Sequence, residues 1–139
     1  MNRVSLLILV LIFSMSTIFA QNSDSVIGRY RLPNKLDIEI YKLGNKYNGK
    51  IIALNGYEEG QKVDYKNPDE SKQNTPLMGM EIIKGLEFDT DDNKWINGSM
   101  YGPEKGMNFD LKITEIREKE IQVVGSKYIF WRTLIWEKI

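Results

Sequence analysis

Apolar and polar residues alternate with a period of two through most of the chain after its first twenty residues. In one such run Leu36, Ile38 and Ile40 alternate with polar or charged neighbours, and Gly44-Asn45 follows shortly after it. A period of two is typical of a β-strand with one buried face, and glycine and asparagine tolerate the positive φ of a tight hairpin turn. This stretch therefore predicts a strand that leads into a β-hairpin.

The alternation recurs at regular spacing and predicts about eight strands separated by turn signals. β-branched and aromatic residues are frequent in these segments, as they are in strands generally. The predicted strands cover residues 26–32, 36–41, 47–54, 79–88, 94–101, 107–114, 121–125 and 134–138. Residues 114–120 have helical propensity, but they lie between two strand patterns, so we interpret them as a strand end and a charged turn. The pattern predicts an all-β domain that forms a barrel or a β-sandwich.

The first twenty residues have the parts of a secretory signal peptide: Arg3, an apolar run over residues 6–12, and the small residue Ala20. The apolar run is short for a membrane span of about 20 residues, and no basic cluster follows it. We therefore expect cleavage after residue 20, a secreted or periplasmic protein, and no integral membrane association after cleavage. Residues 21–139 are enough for one β-domain with one core.

Composition excludes several kinds of chemistry. The chain has no His and no Cys, so it cannot form a Ser-His-Asp or Cys-His catalytic site, an ordinary zinc site or a disulfide. The net charge of the whole chain is zero, and cleavage removes Arg3, so charge gives no argument for nucleic acid or an anionic membrane as a partner. The sequence indicates no cofactor, and any acid–base catalysis would depend on Asp, Glu, Lys or Tyr.

The connection over residues 55–76 is long for a compact domain, and such loops are usually functional or disordered. Aromatic and apolar side chains interleave with its charges and two prolines stiffen it, so we expect an ordered loop over one end of the sheet. Asn67-Pro68-Asp69 predicts a turn, because asparagine accepts the extended conformation before proline and aspartate bonds its own backbone. A short helical turn capped by Asp69 or Ser71 fits residues 67–74.

Three motifs in the middle of the chain are together more specific than any one of them. They are Asp64-x-x-Asn67-Pro68-Asp69, Leu77-x-Gly79-x-x-Ile82 and Trp95-x-x-Gly98-x-x-Tyr101-x-Pro103-x-x-Gly106. In this order they resemble an uncharacterised family of small exported bacterial proteins, labelled domain of unknown function 2147, and the similarity runs from Gly28 to Trp136. Pro103 and the nearby glycines also predict a tight turn, with Gly98 relieving a bulge or close packing.

The two ends of the predicted domain resemble the signature of lipocalin-type barrels. Gly28-Arg29-Tyr30 is similar to the opening Gly-x-aromatic element, and Trp136-Glu137-Lys138 to the closing aromatic-x-basic element. The resemblance implies an antiparallel, up-and-down, lipocalin-like barrel of eight strands, with Tyr30 stacked under Lys138 or Arg132 as a cation–π closure. The β-sandwich stays open as the alternative. An eight-stranded barrel has room for side chains or for one small ligand.

The leading functional hypothesis is a secreted lipocalin-like protein that binds a small apolar or amphipathic molecule. We predict that the mouth lies under residues 55–76 and the turn over residues 101–106. Asp64, Asn67 and Tyr101 are the polar positions expected to orient a ligand, and Trp95 is the expected apolar wall. Trp131, Trp136 and several methionines near the same stretch would also suit a pocket, although aromatic residues in strands are more often core.

Two alternatives belong to other classes of function. A solid barrel acting as an envelope interaction or structural module predicts no cavity and an exposed apolar patch. An enzyme based on carboxylates requires two acids, or an acid with Lys or Tyr, in one cleft.

One segment is similar to the start of a calcium-binding loop, through Asp89, Asp91 and Asn93. Lys94 stands where such a loop needs its turn glycine. We therefore interpret that segment as a polar hairpin turn and predict no metal site.

Overall fold

The structure, a computed structural model, describes residues 22–139, so the predicted signal peptide lies outside the described residues. Its strands are β1 (Gly28–Arg31), β2 (Leu36–Leu43), β3 (Lys46–Leu54), β4 (Glu81–Asp89), β5 (Lys94–Gly102), β6 (Met107–Ile116), β7 (Glu120–Lys127) and β8 (Phe130–Lys138). Each strand pairs antiparallel with the next, and β8 pairs with β1. The predicted eight-stranded up-and-down barrel is confirmed, and this closure excludes the β-sandwich.

Strand β8 begins at Phe130, four residues before the predicted start. Residues 130–133 pair with residues 124–127 of β7, and Tyr128 and Ile129 form the turn between the two strands. Tyr128 has a φ of 57°, a conformation that usually falls to glycine or asparagine. The turn contains neither glycine nor asparagine, the residues from which the β2–β3 hairpin was predicted.

The charged segment 114–120 was interpreted as a strand end and a turn. The structure agrees, since β6 ends at Ile116 and β7 begins at Glu120.

An N-terminal 3₁₀ turn (Ser23–Val26) covers one end of the barrel. Val26 is fully buried, and three barrel side chains donate hydrogen bonds to the turn. These bonds run from Trp95 Nε1 to the Ser23 carbonyl (2.9 Å), from the Tyr47 hydroxyl to the Asp24 carboxylate (2.6 Å) and from the Tyr30 hydroxyl to the Val26 carbonyl (2.7 Å). This end, where the odd-numbered strands begin, is closed.

The opposite end carries the β1–β2, β3–β4, β5–β6 and β7–β8 connections. The long β3–β4 connection is ordered, as expected. It contains two 3₁₀ turns, Glu59–Gln61 and Glu70–Lys72, and an isolated bridge joins Val63 to Pro76. Asp69 caps the second turn by accepting the Ser71 backbone N–H at 3.0 Å.

Inward-facing apolar residues of all eight strands form one core, which also includes Val26, Leu32 and Leu77 from outside the strands. Its largest fully buried members are Trp95, Trp136, Tyr30 and Tyr47, surrounded by leucine and isoleucine. Burial of these side chains is the main favourable term in folding a chain without disulfides. In the part of the chain that the structure describes, no helix is long and apolar enough to cross a membrane.

Candidate ligand cavity

A cavity of about 510 Å³ lies at the open end of the barrel, between the β5–β6 turn and the β7–β8 hairpin. Its wall is mainly apolar, with side chains from the β1–β2 turn and from β5 to β8. The apolar lining residues include Leu32, Met100, Met107, Phe109, Leu111, Val123, Phe130, Trp131, Leu134 and Trp136. A cavity of this size and lining suits a small apolar molecule.

Charged side chains are concentrated at the cavity entrance. Lys105, Lys127 and Arg132 line it together with one carboxylate, Glu104. Lys127 Nζ donates to the Asn108 carbonyl at 2.9 Å. Within residues 22–139, none of the three cations forms an ion pair. The entrance therefore carries an excess of positive charge.

A smaller cavity of about 230 Å³ lies beside the first, beneath the β3–β4 loop. Tyr57, Val63 and Leu77 contribute to its wall. Asn34 and Glu104 line both cavities, and Asn34 Nδ2 donates to Glu104 Oε2 at 3.2 Å. This hydrogen bond lies where the two cavities meet. The predicted position of the mouth is thus half right: the turn over residues 101–106 borders the larger cavity, whereas residues 55–76 line only the smaller one.

The structure brings Asp64, Asn67 and Tyr101 together, although none of them lines either cavity. The Tyr101 hydroxyl donates to Asp64 Oδ1 at 2.7 Å, and Asn67 Nδ2 donates to Asp64 Oδ2 at 2.8 Å. Burial, and next the bond to Asp64, raise the pKa of Tyr101 above its ordinary value of about 10. These contacts join the long loop to β5, so the trio anchors the loop, and its predicted contact with a ligand stays a prediction.

Trp95 is not a wall of the cavity. It is fully buried at the closed end, where its indole N–H donates to the Ser23 carbonyl. The centroid of its ring lies 4.9 Å from that of the Phe88 ring. A β-bulge between Trp95 and Gly98 separates it from the later part of β5. Trp95, predicted as the apolar wall of the site, is therefore absent from the lining of the cavity, and Trp131 and Trp136 are the tryptophans that line it.

Several glycines of the family motifs occupy crowded or left-handed positions. A Cβ at Gly98 would lie 2.5 Å from Leu86 Cδ2, so the bulge in β5 needs the space that glycine leaves. Gly106 has a φ of 63°, and a Cβ there would collide with the Lys66 carbonyl. Gly79 has a φ of 79°, and its N–H donates to the Ile51 carbonyl at 2.8 Å.

The remaining predicted structural residues lie in the loops and at the barrel seam. Pro68 stands in the Asn67-Pro68-Asp69 turn, where Asn67 Oδ1 accepts the Asp69 N–H at 2.9 Å. Pro103 begins the β5–β6 turn and lines the smaller cavity. Gly28 opens β1 and pairs with Ile40.

Tyr30 and Lys138 are cross-strand partners at the β1–β8 seam. The cation–π contacts among the described residues are made by Lys42, Lys50, Lys66 and Lys127 over other tyrosines, and none involves Tyr30. The expected stacking of Lys138 or Arg132 on Tyr30 is therefore not found. The Tyr30 hydroxyl instead donates a hydrogen bond to the Val26 carbonyl of the 3₁₀ turn.

Of the residues that the β7–β8 hairpin contributes to the cavity, sequence reasoning named Trp131 but missed Phe130 and Arg132. Four consecutive apolar residues, 128–131, are at least 73% exposed, which strand alternation alone does not predict. Arg132 stands two residues before Leu134, and residues two apart in a strand share a face. This spacing was the signal in the sequence that could have placed Arg132 beside Leu134 in the cavity.

Comparison with known proteins agrees with this fold. A solved structure, "Protein HP1028 from the human pathogen Helicobacter pylori belongs to the lipocalin family", is similar with a TM-score of 0.72 over 82% of each chain. Its sequence identity of 15% limits the likeness to the fold. No curated protein matches the chain. The family described as "Uncharacterized protein conserved in bacteria (DUF2147)" matches over residues 28–138. The chain therefore belongs to this family.

Proposed function

We propose that this is an exported protein that binds a small apolar or amphipathic molecule in the 510 Å³ cavity. One observation carries the proposal: a mainly apolar cavity opens at one end of a barrel whose other end is plugged by the 3₁₀ turn (Ser23–Val26). An apolar cavity with few polar groups is the usual form of a small-molecule site. Export rests on the predicted signal peptide over residues 1–20.

The two alternatives fit this geometry less well. A solid interaction module predicts a filled barrel, which disagrees with the cavity. The exposed apolar patch that it also predicts is present at residues 128–131, but Phe130 and Trp131 of that patch line the cavity as well. An enzyme with paired carboxylates needs two acids at the site, and Glu104 is the single carboxylate among the residues lining the larger cavity. The other form of this alternative, an acid with a lysine, has Glu104 and Lys105 in that lining. The Glu104 carboxylate accepts a hydrogen bond from the Asn34 amide, and in residues 22–139 it forms no ion pair with a lysine.

Binding is tested with a neutral apolar fluorophore, N-phenyl-1-naphthylamine, whose emission rises on transfer from water to an apolar site. We expect the mature protein to enhance its emission, and Leu134→Trp, which fills the cavity wall, to abolish the enhancement. Leu43→Trp is the matched control, because Leu43 is exposed on β2 near the β2–β3 turn, at the closed end. Absence of enhancement by the wild-type protein would contradict the proposal.

Native mass spectrometry of protein purified from its own host's periplasm or medium supplies the second test. A reproducible mass increment that Leu134→Trp lacks would identify the natural ligand. Because Leu134 is only partly buried, circular dichroism of the variant must show the β-sheet spectrum of the wild type before its loss of binding is interpreted.

A further inference from the structure

Arg132 lies on the inner face of the barrel. In the β7–β8 pairing Ile121 faces Trp136, Val123 faces Leu134 and Gly125 faces Arg132. Alternate residues of a strand share a face, and directly paired residues of two strands point the same way. Ile121, Val123 and Trp136 are buried in the core, so Arg132 continues that inward-facing series toward the open end.

Arg132 borders the cavity together with Gly125 and Phe109. Its cross-strand partner is Gly125, and the Phe109 ring packs against this glycine, because a Cβ there would lie only 3.2 Å from the ring. Leu134 and Trp136, the next inward residues of β8, form the apolar wall below it. A guanidinium group at the entrance is thus followed by apolar surface deeper in the barrel.

The charge of Arg132 is not balanced by a neighbouring carboxylate. In the described part of the chain it forms no ion pair, and the segment 121–136 contains no acidic residue. Lys105 and Lys127 add positive charge to the same cavity. The carboxylate of Glu104 accepts a hydrogen bond from the side-chain amide of Asn34. The cavity therefore favours a negative charge at its entrance.

We propose that the ligand is an amphipathic anion whose carboxylate binds Arg132 and whose apolar body lies against Val123, Leu134 and Trp136. The planar guanidinium matches a carboxylate through two parallel N–H···O bonds, which a lysine ammonium cannot make. The inference rests on the proposed function, because it assigns the chemical class of the molecule bound in the same cavity.

The test compares decanoate with methyl decanoate, which keep the same apolar chain and differ in the negative charge. Affinities are measured by displacement of N-phenyl-1-naphthylamine from the wild type, Arg132→Gln, Arg132→Lys and Lys112→Gln. Lys112 is the matched control, because it is exposed on β6 and is absent from the cavity lining. Circular dichroism checks that each variant is folded.

We expect Arg132→Gln to weaken decanoate binding roughly tenfold or more, which is the order of one charge-assisted hydrogen-bonded contact. Methyl decanoate should bind the wild type and Arg132→Gln equally. Arg132→Lys should fall between the wild type and Arg132→Gln for decanoate, and Lys112→Gln should match the wild type.

The outcomes separate this inference from the proposed function. Binding of both probes with no loss of decanoate affinity in Arg132→Gln overturns the anion site and leaves the apolar cavity as a binding site. Binding of neither probe to the wild type, together with no emission from the fluorophore, overturns both proposals.

Discussion

The Tyr101 hydroxyl donates a hydrogen bond to Asp64 at 2.7 Å and thereby joins β5 to the long β3–β4 loop, 37 residues apart in the sequence. Asp64 is only 2% exposed, and its second carboxylate oxygen accepts the side-chain amide of Asn67. A buried carboxylate requires such partners, because loss of its hydration is otherwise uncompensated. The pair therefore fixes the loop on the rim of the barrel.

Tyr101→Phe is expected to lower the free energy of unfolding by about 1–3 kcal/mol, because it leaves one oxygen of buried Asp64 without its donor. Tyr128→Phe is the control, since Tyr128 is 90% exposed at the hairpin turn and should cost almost nothing. Urea denaturation followed by circular dichroism measures both. Equal free energies of unfolding for the two variants would show that the hydrogen bond from Tyr101 to Asp64 does not stabilise the fold.

Gly106→Ala should destabilise the protein more than Gly44→Ala. Both glycines have a left-handed conformation, with φ of 63° and 65°, so alanine costs roughly 1–2 kcal/mol at each. A Cβ at Gly44 meets nothing within 4 Å, whereas one at Gly106 collides with the Lys66 carbonyl. Overpacking of this kind adds about 1–3 kcal/mol. Thermal denaturation of the two variants measures the difference, and a similar loss in both would contradict the close packing of loop and turn.

Trp95→Phe should cost more stability than Trp136→Phe, although both side chains are almost fully buried. The Trp95 indole N–H donates to Ser23, and its removal leaves that carbonyl without a donor. In residues 22–139 no acceptor lies within hydrogen-bond distance of Trp136 Nε1, so its replacement also removes an unsatisfied polar group. The expected difference is about 1–3 kcal/mol, measured by urea denaturation. Equal costs, or a larger cost for Trp136→Phe, would contradict this assignment.

Stability should fall at alkaline pH partly through Tyr30. Burial raises the pKa of Tyr30 from about 10 to about 12. Below pH 10 both the folded and unfolded states keep the proton, so the contribution to stability is complete. Between pH 10 and 12 the unfolded state loses the proton first, and the free energy of unfolding decreases by about 1.4 kcal/mol per pH unit.

Tyr30→Phe isolates this effect because phenylalanine does not titrate. Urea denaturation at pH 8, 10, 11 and 12 should show a shallower alkaline decline for the variant than for the wild type. The variant begins from a lower stability at pH 8, since it loses the hydrogen bond to the Val26 carbonyl. Parallel declines in the two proteins would mean that Tyr30 is not the titrating group.

Local patterns in the sequence determined most of the strands and turns, with the β7–β8 hairpin as the exception. Leu36, Ile38 and Ile40 are all buried in β2, as their period of two predicted, and Gly44 takes the left-handed turn conformation. Asp69 caps the 3₁₀ turn in the long loop. Such features depend on residues a few positions apart, so they can be predicted without knowledge of the rest of the fold.

Only the tertiary structure decided which end of the barrel is open and which side chains face the cavity. A strand's pairing register assigns each residue to one face, and a bulge such as the one between Trp95 and Gly98 reverses that assignment for the residues beyond it. Arg132 lines the cavity because β8 begins at Phe130. The turn before Phe130 contains no glycine, so the sequence did not indicate that the strand begins there. Neither register nor bulge position is encoded within one segment, because both arise from the fit between neighbouring strands.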